Sequence, residues 1–238
     1  MKPFNFKRFT VHQDKCAMKI GTDGVLLAAW ANPKNAFSIL DIGSGSGLIS
    51  LQMAQKSNAE VIDAIEIDDD AFEQTVENFE RSDWGDRLFC YHASLQEFTE
   101  EMEDEVYDFI ISNPPFYNST FKSEEISEKR ALARHTKSLS FDVLLSSTSK
   151  LLSEIGECAF IIPYGYEEEF FSIGKQVGLF PNRITRVKGT REAPIKRSLL
   201  QLSFRKTTPE ISELVIEIDR HVYTPEYIDL VKYFYVKM

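Results

Sequence analysis

The 238-residue sequence lacks the patterns that mark several common classes of protein. Its three cysteines, Cys16, Cys90 and Cys158, lie far apart without a C-x-x-C pair, which excludes a zinc ribbon and is typical of a reducing cytosol. His12 and Cys16 have no second pair of ligands nearby, so we predict no metal site. Apolar runs of about 18 residues and an apolar N-terminal segment are also missing, so we expect a cytoplasmic protein with neither a membrane span nor a signal peptide.

The charge of the chain is unevenly distributed. The formal net charge of -10 argues against indiscriminate binding of nucleic acid. From residue 183 to residue 206, however, eight basic residues stand against one acid, Glu192. A chain that is acidic overall can still present such a local basic face to a polyanion, although ordinary solvated surface charge is the alternative.

The stretch SILDIGSGSG, residues 38–47, organises the rest of the chain. It predicts a short strand at 38–42, a glycine turn and a helix, a geometry that lets a ligand approach bare backbone at the edge of a sheet. The spacing of the glycines is not that of a dinucleotide-binding site, and the Gly-Lys-Ser/Thr of a P-loop is absent. Because Asp41 precedes the turn, we expect a ligand with positive charge, such as S-adenosylmethionine. The alternative is a tight turn in an α/β protein that binds no nucleotide.

Two later strands also lead to candidate ligand contacts. Residues 60–67, EVIDAIEI, predict a buried strand that ends in Glu66, where a carboxylate is placed to accept hydrogen bonds from ribose hydroxyls. A surface acid is the alternative. A third strand is predicted at 88–92, and Ser94 and Leu95 follow it where the rim of the sheet would meet an adenine ring.

A fourth predicted strand, residues 106–112, leads into Asn113-Pro114-Pro115-Phe116. The side-chain oxygen of Asn113 and the carbonyl of Pro114 could each accept one proton of an adenine amino group, which would turn its lone pair toward an incoming methyl group. Pro115 stiffens the turn, and Phe116 would stack on the base, a contact worth about 1–3 kcal/mol. A rigid Pro-Pro turn with a core phenylalanine is the alternative.

The remaining elements complete one predicted domain, residues 1–238. Residues 1–37 form an arm and a first helix capped by Thr22, residues 38–205 form the core, and residues 206–238 form a strand and a helix. Within the core, the spacing of Phe72, Val76 and Phe79 predicts the inward face of a helix over 70–81. The basic loop 188–197 joins two strands of a hairpin.

The order of these elements, five βα units followed by a hairpin, resembles class I S-adenosylmethionine-dependent methyltransferases. That resemblance implies an α/β Rossmann-like fold with a seven-stranded, mostly parallel sheet and a terminal antiparallel β-hairpin. The sequences DIGSGSG, IEID and NPPF are similar to the first, second and fourth motifs of the family. The stretches FKRFTVHQDKCAMKIGTDGVLLAAW, ARHTKSLSF and YTPEYIDLVKYFYV resemble bacterial tRNA (adenine-N6)-methyltransferases, which modify the adenine beside the anticodon, position 37, of a valine tRNA.

Three sets of site residues follow from the resemblance and from the charge pattern. The resemblance implies cofactor contacts at Thr22, Asp41, Gly43, Ser44, Gly45, Gly47, Glu66, Ile67, Ser94, Leu95 and Asn113. It implies that Asn113, Pro114, Pro115 and Phe116 hold the target base. Basic side chains that could meet tRNA phosphates are Lys122, Arg134, His135, Lys188, Arg191, Lys196 and Arg197. The family often has Asp in place of Ser94, which makes the contact with the cofactor adenine doubtful.

Three other functions compete with this interpretation. A glutamine methyltransferase that acts on release factors carries a helical domain before its core, for which the 37 residues ahead of the first strand are too few. A DNA adenine methyltransferase would carry a target-recognition domain, for which the chain has no room. An rRNA adenine methyltransferase remains an alternative. The third is a non-catalytic RNA-binding protein on the same fold. For the enzyme we expect direct in-line methyl transfer, with no metal and no covalent intermediate.

Overall fold

The computed structural model describes residues 2–102, 105–115 and 139–238, and a large β-sheet forms its centre. The strands of the described residues are β1 Phe4–Asn5, β2 Thr10–Val11, β3 Ser38–Ile42, β4 Val61–Glu66, β5 Leu88–His92, β6 Tyr107–Ser112, β7 Leu152–Pro163, β8 Phe180–Lys188, β9 Ile195–Ser203, β10 Glu210–Val215, β11 Glu217–Asp219 and β12 Val222–Tyr223. Their helices are α1 Thr22–Trp30, α2 Leu48–Lys56, α3 Asp69–Glu80, α4 Leu95–Glu101, α5 Phe141–Leu151, α6 Glu167–Gln176 and α7 Pro225–Val231, with a short 3-10 helix at Tyr164–Tyr166. None of these helices is long and apolar enough to cross a membrane.

The main sheet has the order β10-β8-β9-β7-β6-β3-β4-β5. Strands β5, β4, β3, β6 and β7 are parallel, and β9 is antiparallel to both β7 and β8. From β3 the chain builds outward through β4 and β5, and it then returns to the other side of β3 with β6. Ligands of such sheets bind beyond the carboxyl ends of the strands where the order reverses, which here is the edge between β3 and β6.

This architecture confirms the predicted fold class, and the sheet holds one strand more than the predicted seven. Strand β10 lies parallel to β8, from the pair Glu210 and Arg183 to the pair Val215 and Lys188. The strand predicted in the tail, residues 213–218, overlaps the end of β10, in which only Leu214 is buried.

Two apolar layers cover the sheet, because successive side chains of a strand point to opposite faces. Ile39 of β3 points to the layer that contains α1, α2 and α7. Leu40 and Ile42 point to the layer that contains α4, α5 and α6. Asp41 therefore shares the α2 face with Ile39, a placement that matters for the site.

One local prediction about a helix was wrong, and a second was confirmed only for Phe79. The residue that caps α1 is Gly21, and Thr22 is an exposed residue of its first turn without a capping hydrogen bond. Helix α3 buries Ala71, Gln74, Thr75, Asn78 and Phe79. Phe72 and Val76 are only half-buried, so this helix packs with a largely polar face.

Candidate active site

A cavity of about 330 Å³ opens at the carboxyl ends of β3, β4 and β6. Ile42 and Gly43 come from the end of β3, Glu66 from the end of β4, and Asn113 from the residue after β6. The volume lies in the range of pockets that enclose small-molecule ligands. The sheet therefore brings the predicted glycine turn, acidic residue and Asn113 together in one cavity.

The glycine turn lays bare backbone along one wall of this cavity. Gly43 and Gly45 have φ angles of 74° and 60°, which favour glycine, and a Cβ atom on either residue would have no neighbour within 4 Å. The N–H groups of Gly43 and Ser44 both donate to the carbonyl of Ile65, at 2.9 and 3.1 Å. These bonds fix the turn to the end of β4.

Glu66 organises the same wall through three backbone hydrogen bonds. Its Oε2 accepts the N–H of Gly45 at 2.8 Å, and its Oε1 accepts those of Ile67 and Asp68, each at 2.9 Å. A carboxylate has about four acceptor positions, so one position on Oε2 is left for a ligand hydroxyl. Glu66 and Ile67, both predicted cofactor contacts, line the cavity.

The charge of the cavity indicates what kind of ligand fits. Glu66 and Asp68 contribute carboxylates to its lining, and no Lys, Arg or His belongs to the lining among the described residues. Ile67, with 52% of its surface exposed, and Leu95 add apolar walls. A ligand with positive charge and a flat apolar ring fits this chemistry, whereas a phosphate would meet only like charge. The residues present therefore fit S-adenosylmethionine.

Asp41, a predicted cofactor contact, does not line the cavity. Its side chain is fully buried below α2, where Oδ2 accepts the N–H of Ser50 at 3.1 Å and its hydroxyl at 2.6 Å. The pleat of β3 explains the difference, since Asp41 points away from the face that Ile42 shares with the cavity. Burial raises the pKa of Asp41 to about 7, against hydrogen bonds from Ser50 that lower it.

Three more predicted cofactor residues lie outside the cavity lining: Thr22, Ser44 and Gly47. The hydroxyl of Ser44 lies 3.4 Å from that of Thr75 on α3. Gly47 has a φ of 75°, and a Cβ there would lie 2.7 Å from the ring of Phe79. Ser44 and Gly47 thus hold the glycine turn against α3.

Ser94 and Leu95 line the cavity at the start of α4. The hydroxyl of Ser94 donates to Oε2 of Glu97 at 2.7 Å and accepts the N–H of Glu97 at 3.2 Å. Because the only proton of the Ser94 hydroxyl is donated to Glu97, this hydroxyl could only accept a hydrogen bond from the adenine of a ligand.

Asn113 and Pro115 reach the cavity from β6, while Pro114 is buried beside them. The hydroxyl of Ser112 donates to the carbonyl of Ile42 at 2.7 Å and so joins the ends of β6 and β3. The predicted residues Phe116, Lys122, Arg134 and His135 lie outside the described residues.

The basic hairpin β8–β9 turns at the same edge of the sheet as Asn113, because Arg197 pairs with Pro163 at the carboxyl end of β7. Two of its four predicted RNA contacts are engaged in ion pairs, Lys188 with Glu213 at 3.0 Å and Arg197 with Asp23 at 2.8 Å. Arg191 and Lys196 are exposed, and neither forms an ion pair within the described part of the chain.

Comparisons with known proteins decide the family. A family model described as the methyltransferase small domain matches residues 16–140. The chain is 58% identical to the tRNA1(Val) (adenine(37)-N6)-methyltransferase of Flavobacterium johnsoniae, over 99% of this chain and 100% of the relative. It is 55% identical to the protein of the same name from Christiangramia forsetii, over 100% and 99%. The chain belongs to this methyltransferase family.

Solved structures of methyltransferases share the fold of this methyltransferase. A predicted O-methyltransferase of Agrobacterium tumefaciens, Atu636, superposes with a TM-score of 0.67 at 19% identity, over 89% of this chain and 96% of that one. TYW2 of Pyrococcus horikoshii, solved in complex with MeSAdo, gives a TM-score of 0.52 at 19% identity, over 78% and 64%. These likenesses confirm the class I architecture.

The methyltransferase has one wall that local sequence patterns did not reveal. Cys16, Ala17 and Met18 of the N-terminal arm line the cavity, as do Leu139 and Val143 at the start of α5. The arm shows no helical or strand period, so only its likeness to the family pointed to a role. Among the described residues, no group of three or more His, Cys, Asp or Glu side chains could hold a metal ion.

Proposed function

We propose that this enzyme transfers the methyl group of S-adenosylmethionine to N6 of adenine 37 in a valine tRNA. One observation carries the proposal, which is that Asn113 lies beside a cavity lined by carboxylates. The chain that holds this cavity matches enzymes of that name over nearly its whole length. A tRNA substrate implies activity in the cytoplasm.

The cofactor side of the proposal depends on the glycine turn and on Glu66. Gly43 and Gly45 let the methionine end of the cofactor lie against backbone, and Glu66 has an acceptor position for a ribose hydroxyl. Ile67 and Leu95 provide apolar surfaces for the adenine ring. Bound S-adenosylmethionine would supply an electrophilic methyl group on a positively charged sulfur.

The target side depends on Asn113 and Pro114. An adenine amino group is a weak nucleophile because its lone pair is delocalised into the ring. When the side-chain oxygen of Asn113 and the carbonyl of Pro114 each accept one N–H, the nitrogen is held with its lone pair free of those bonds. The same acceptors stabilise the positive charge that the nitrogen gains as the new bond forms, and the nitrogen then loses one N–H proton to solvent. Catalysis then comes from positioning and electrostatics.

The substrate must present the adenine outside its stack. Flipping a base costs a few kcal/mol in a duplex and less in a loop, which favours an anticodon loop over paired nucleic acid. The basic hairpin turns at the edge where Asn113 lies, so Arg191 and Lys196 are within reach of the phosphates around the target.

The test is methyl transfer from labelled S-adenosylmethionine into total RNA, DNA and protein, followed by analysis of the modified nucleosides and amino acids. We expect label in N6-methyladenosine of tRNA, and loss of that label when adenine 37 of a valine tRNA transcript is replaced by guanine. Label in glutamine of protein would support the release-factor alternative. Label in DNA or rRNA would show that the enzyme acts on an adenine of that nucleic acid and not on tRNA. Cofactor binding without transfer to any of these would contradict the proposal.

A further inference from the structure

Helix α3 carries buried polar side chains that the proposed chemistry leaves without a role. Gln74 and Thr75 have no exposed surface, and Asn78 is 1% exposed. Burying such groups is unfavourable unless they are hydrogen-bonded. All three bond outside the helix, to the glycine turn or to the N-terminal arm.

Asn78 connects these two segments with one side chain. Its Oδ1 accepts the N–H of His12 at 2.9 Å, and its Nδ2 donates to the carbonyl of His12 at 2.8 Å. The same Nδ2 donates to the carbonyl of Ser46 at 2.9 Å. The arm at His12 and the glycine turn at Ser46 are therefore held at a set separation.

Thr75 reaches the centre of the glycine turn. Its hydroxyl donates to the carbonyl of Gly45 at 2.9 Å, and the thiol of Cys16 lies 3.5 Å from the same oxygen. On the other side of this residue, the N–H of Gly45 donates to Glu66. Gly45 is thus fixed at both its N–H and its carbonyl, and the arm meets the turn at this point.

Further bonds join the arm to α3 at Lys15, immediately before the arm residues that line the cavity. The N–H of Lys15 donates to Gln74 at 3.3 Å, and its ammonium group pairs with Glu73 and Glu77, each at 2.9 Å. The next three residues, 16–18, form a wall of the cavity. The position of that wall is therefore set by α3.

We propose that Thr75 and Asn78 are positioning residues for the cofactor, which hold the arm and the glycine turn together as two adjoining walls of the cavity. Neither side chain lines the cavity, so both act through the backbone that they hold. The inference rests on the proposed function, because it takes S-adenosylmethionine to be the ligand. It predicts that the hydroxyl of Thr75 and the amide protons of Asn78 control affinity for the cofactor and not the methyl transfer itself.

The test measures binding of S-adenosylhomocysteine by calorimetry for the wild type and four variants. Thr75→Val and Asn78→Leu roughly keep the size of the side chain and remove the donated hydrogen bonds without burying a charge. Thr75→Ser keeps the hydroxyl, and Val76→Ala changes a half-buried residue of the same helix that makes no such bond. We expect the Kd to rise about 10-fold for the first two variants, the change that corresponds to about 1.4 kcal/mol, and to stay within about twofold for the other two.

Two further readouts separate positioning from general stability. In tRNA methylation, Thr75→Val should raise the KM for S-adenosylmethionine and leave kcat and the KM for tRNA unchanged. The melting temperature without ligand should fall no more for Thr75→Val than for Val76→Ala. Unchanged affinity in Thr75→Val, or equal loss of affinity in Thr75→Ser, would overturn the inference. If the wild type fails to bind S-adenosylhomocysteine, the proposed function itself is wrong.

Discussion

The two sides of the cavity are held in different ways. On the cofactor side, the glycine turn, Glu66 and α3 are joined by hydrogen bonds to backbone atoms that are partly or fully buried. On the target side, the hairpin strands belong to the sheet, but their basic side chains Lys188 and Arg197 are held by ion pairs with partly exposed acids, such as Arg197 with Asp23. Exposed pairs contribute little to stability, about 0–1 kcal/mol each, and weaken in salt. The cofactor side is thus preorganised, whereas the target side can exchange its internal partners for phosphates.

The largest expected effect is on kcat and comes from Asn113, which lies between the cofactor side and the target side. Asn113→Ala removes one of the two proposed acceptors of the target amino group, and we expect kcat to fall about 100- to 1,000-fold, as when a single oxyanion-hole donor is lost. Affinity for S-adenosylhomocysteine should stay within about twofold of the wild type. Single-turnover kinetics and calorimetry measure the two quantities. Equal loss of both would place Asn113 on the cofactor side.

A second prediction tests how rigid the cofactor side is. Gly47→Ala places a Cβ at a φ of 75° and 2.7 Å from the ring of Phe79. We expect the free energy of unfolding to fall by about 3 kcal/mol, from backbone strain and overpacking together. Urea unfolding measures the loss, and Gly21→Ala, where a Cβ meets nothing within 4 Å, is the control. Equal stability of the two variants would show that the turn can shift.

A third prediction concerns Asp41, which lies beneath the cofactor side. Its pKa rises from 3.8 to about 7 on burial, so the folded state holds a proton that the unfolded state releases between these values. The free energy of unfolding therefore falls as pH rises through this window, with a slope of up to about 1.4 kcal/mol per pH unit. Asp41→Asn should remove that slope, because its amide mimics the protonated acid.

Urea unfolding of the wild type and Asp41→Asn, compared at several pH values between about 4 and about 8, tests this difference. Parallel stability curves for the two proteins would show that Asp41 titrates as in the unfolded chain. Ser50→Ala is a useful companion variant, since it removes the short hydrogen bond to Oδ2, raises the pKa of Asp41 further and should extend the pH dependence to higher pH.

The smallest expected effect is on tRNA binding, and it distinguishes two basic residues of the hairpin. Lys196→Ala should weaken tRNA binding and reduce the slope of log affinity against log salt by about 0.7–0.9, the value for one phosphate contact. Arg197→Ala should change the slope less, because Asp23 already neutralises Arg197. Binding titrations at several salt concentrations give both slopes. Equal changes for the two variants would mean that the pair with Asp23 opens when tRNA binds.

The sequence predicted those parts of the fold that local pattern encodes. Residues 38–42 form the predicted strand, and the predicted strands at 60–67 and 88–92 are β4 and β5 with similar bounds. The polar face of α3 was missed because burial of Gln74 and Asn78 depends on distant backbone groups, which no helical period records. Strand β10 was predicted only as part of the tail, since its place in the sheet comes from pairing with β8.

The candidate site was predicted in the same uneven way. Gly43, Gly45, Glu66, Leu95 and Asn113 line the cavity, because the carboxyl ends of parallel strands meet at one edge. Asp41 lies outside the cavity lining, and its position in the strand, one residue from Ile42, puts it on the opposite face of the sheet. The charge count of the hairpin does not show that Lys188 and Arg197 have acidic partners, because those partners, Glu213 and Asp23, lie far away in the sequence.

The central claim is that the cofactor and a flipped adenine meet at the edge between β3 and β6. A crystal structure of the protein with S-adenosylhomocysteine tests it most directly. We expect the ligand in the cavity, with its ribose at Glu66, its adenine between Ile67 and Leu95, and its sulfur on the side of Asn113. A ligand bound elsewhere on the molecule, or one whose sulfur faces away from Asn113, would contradict the account.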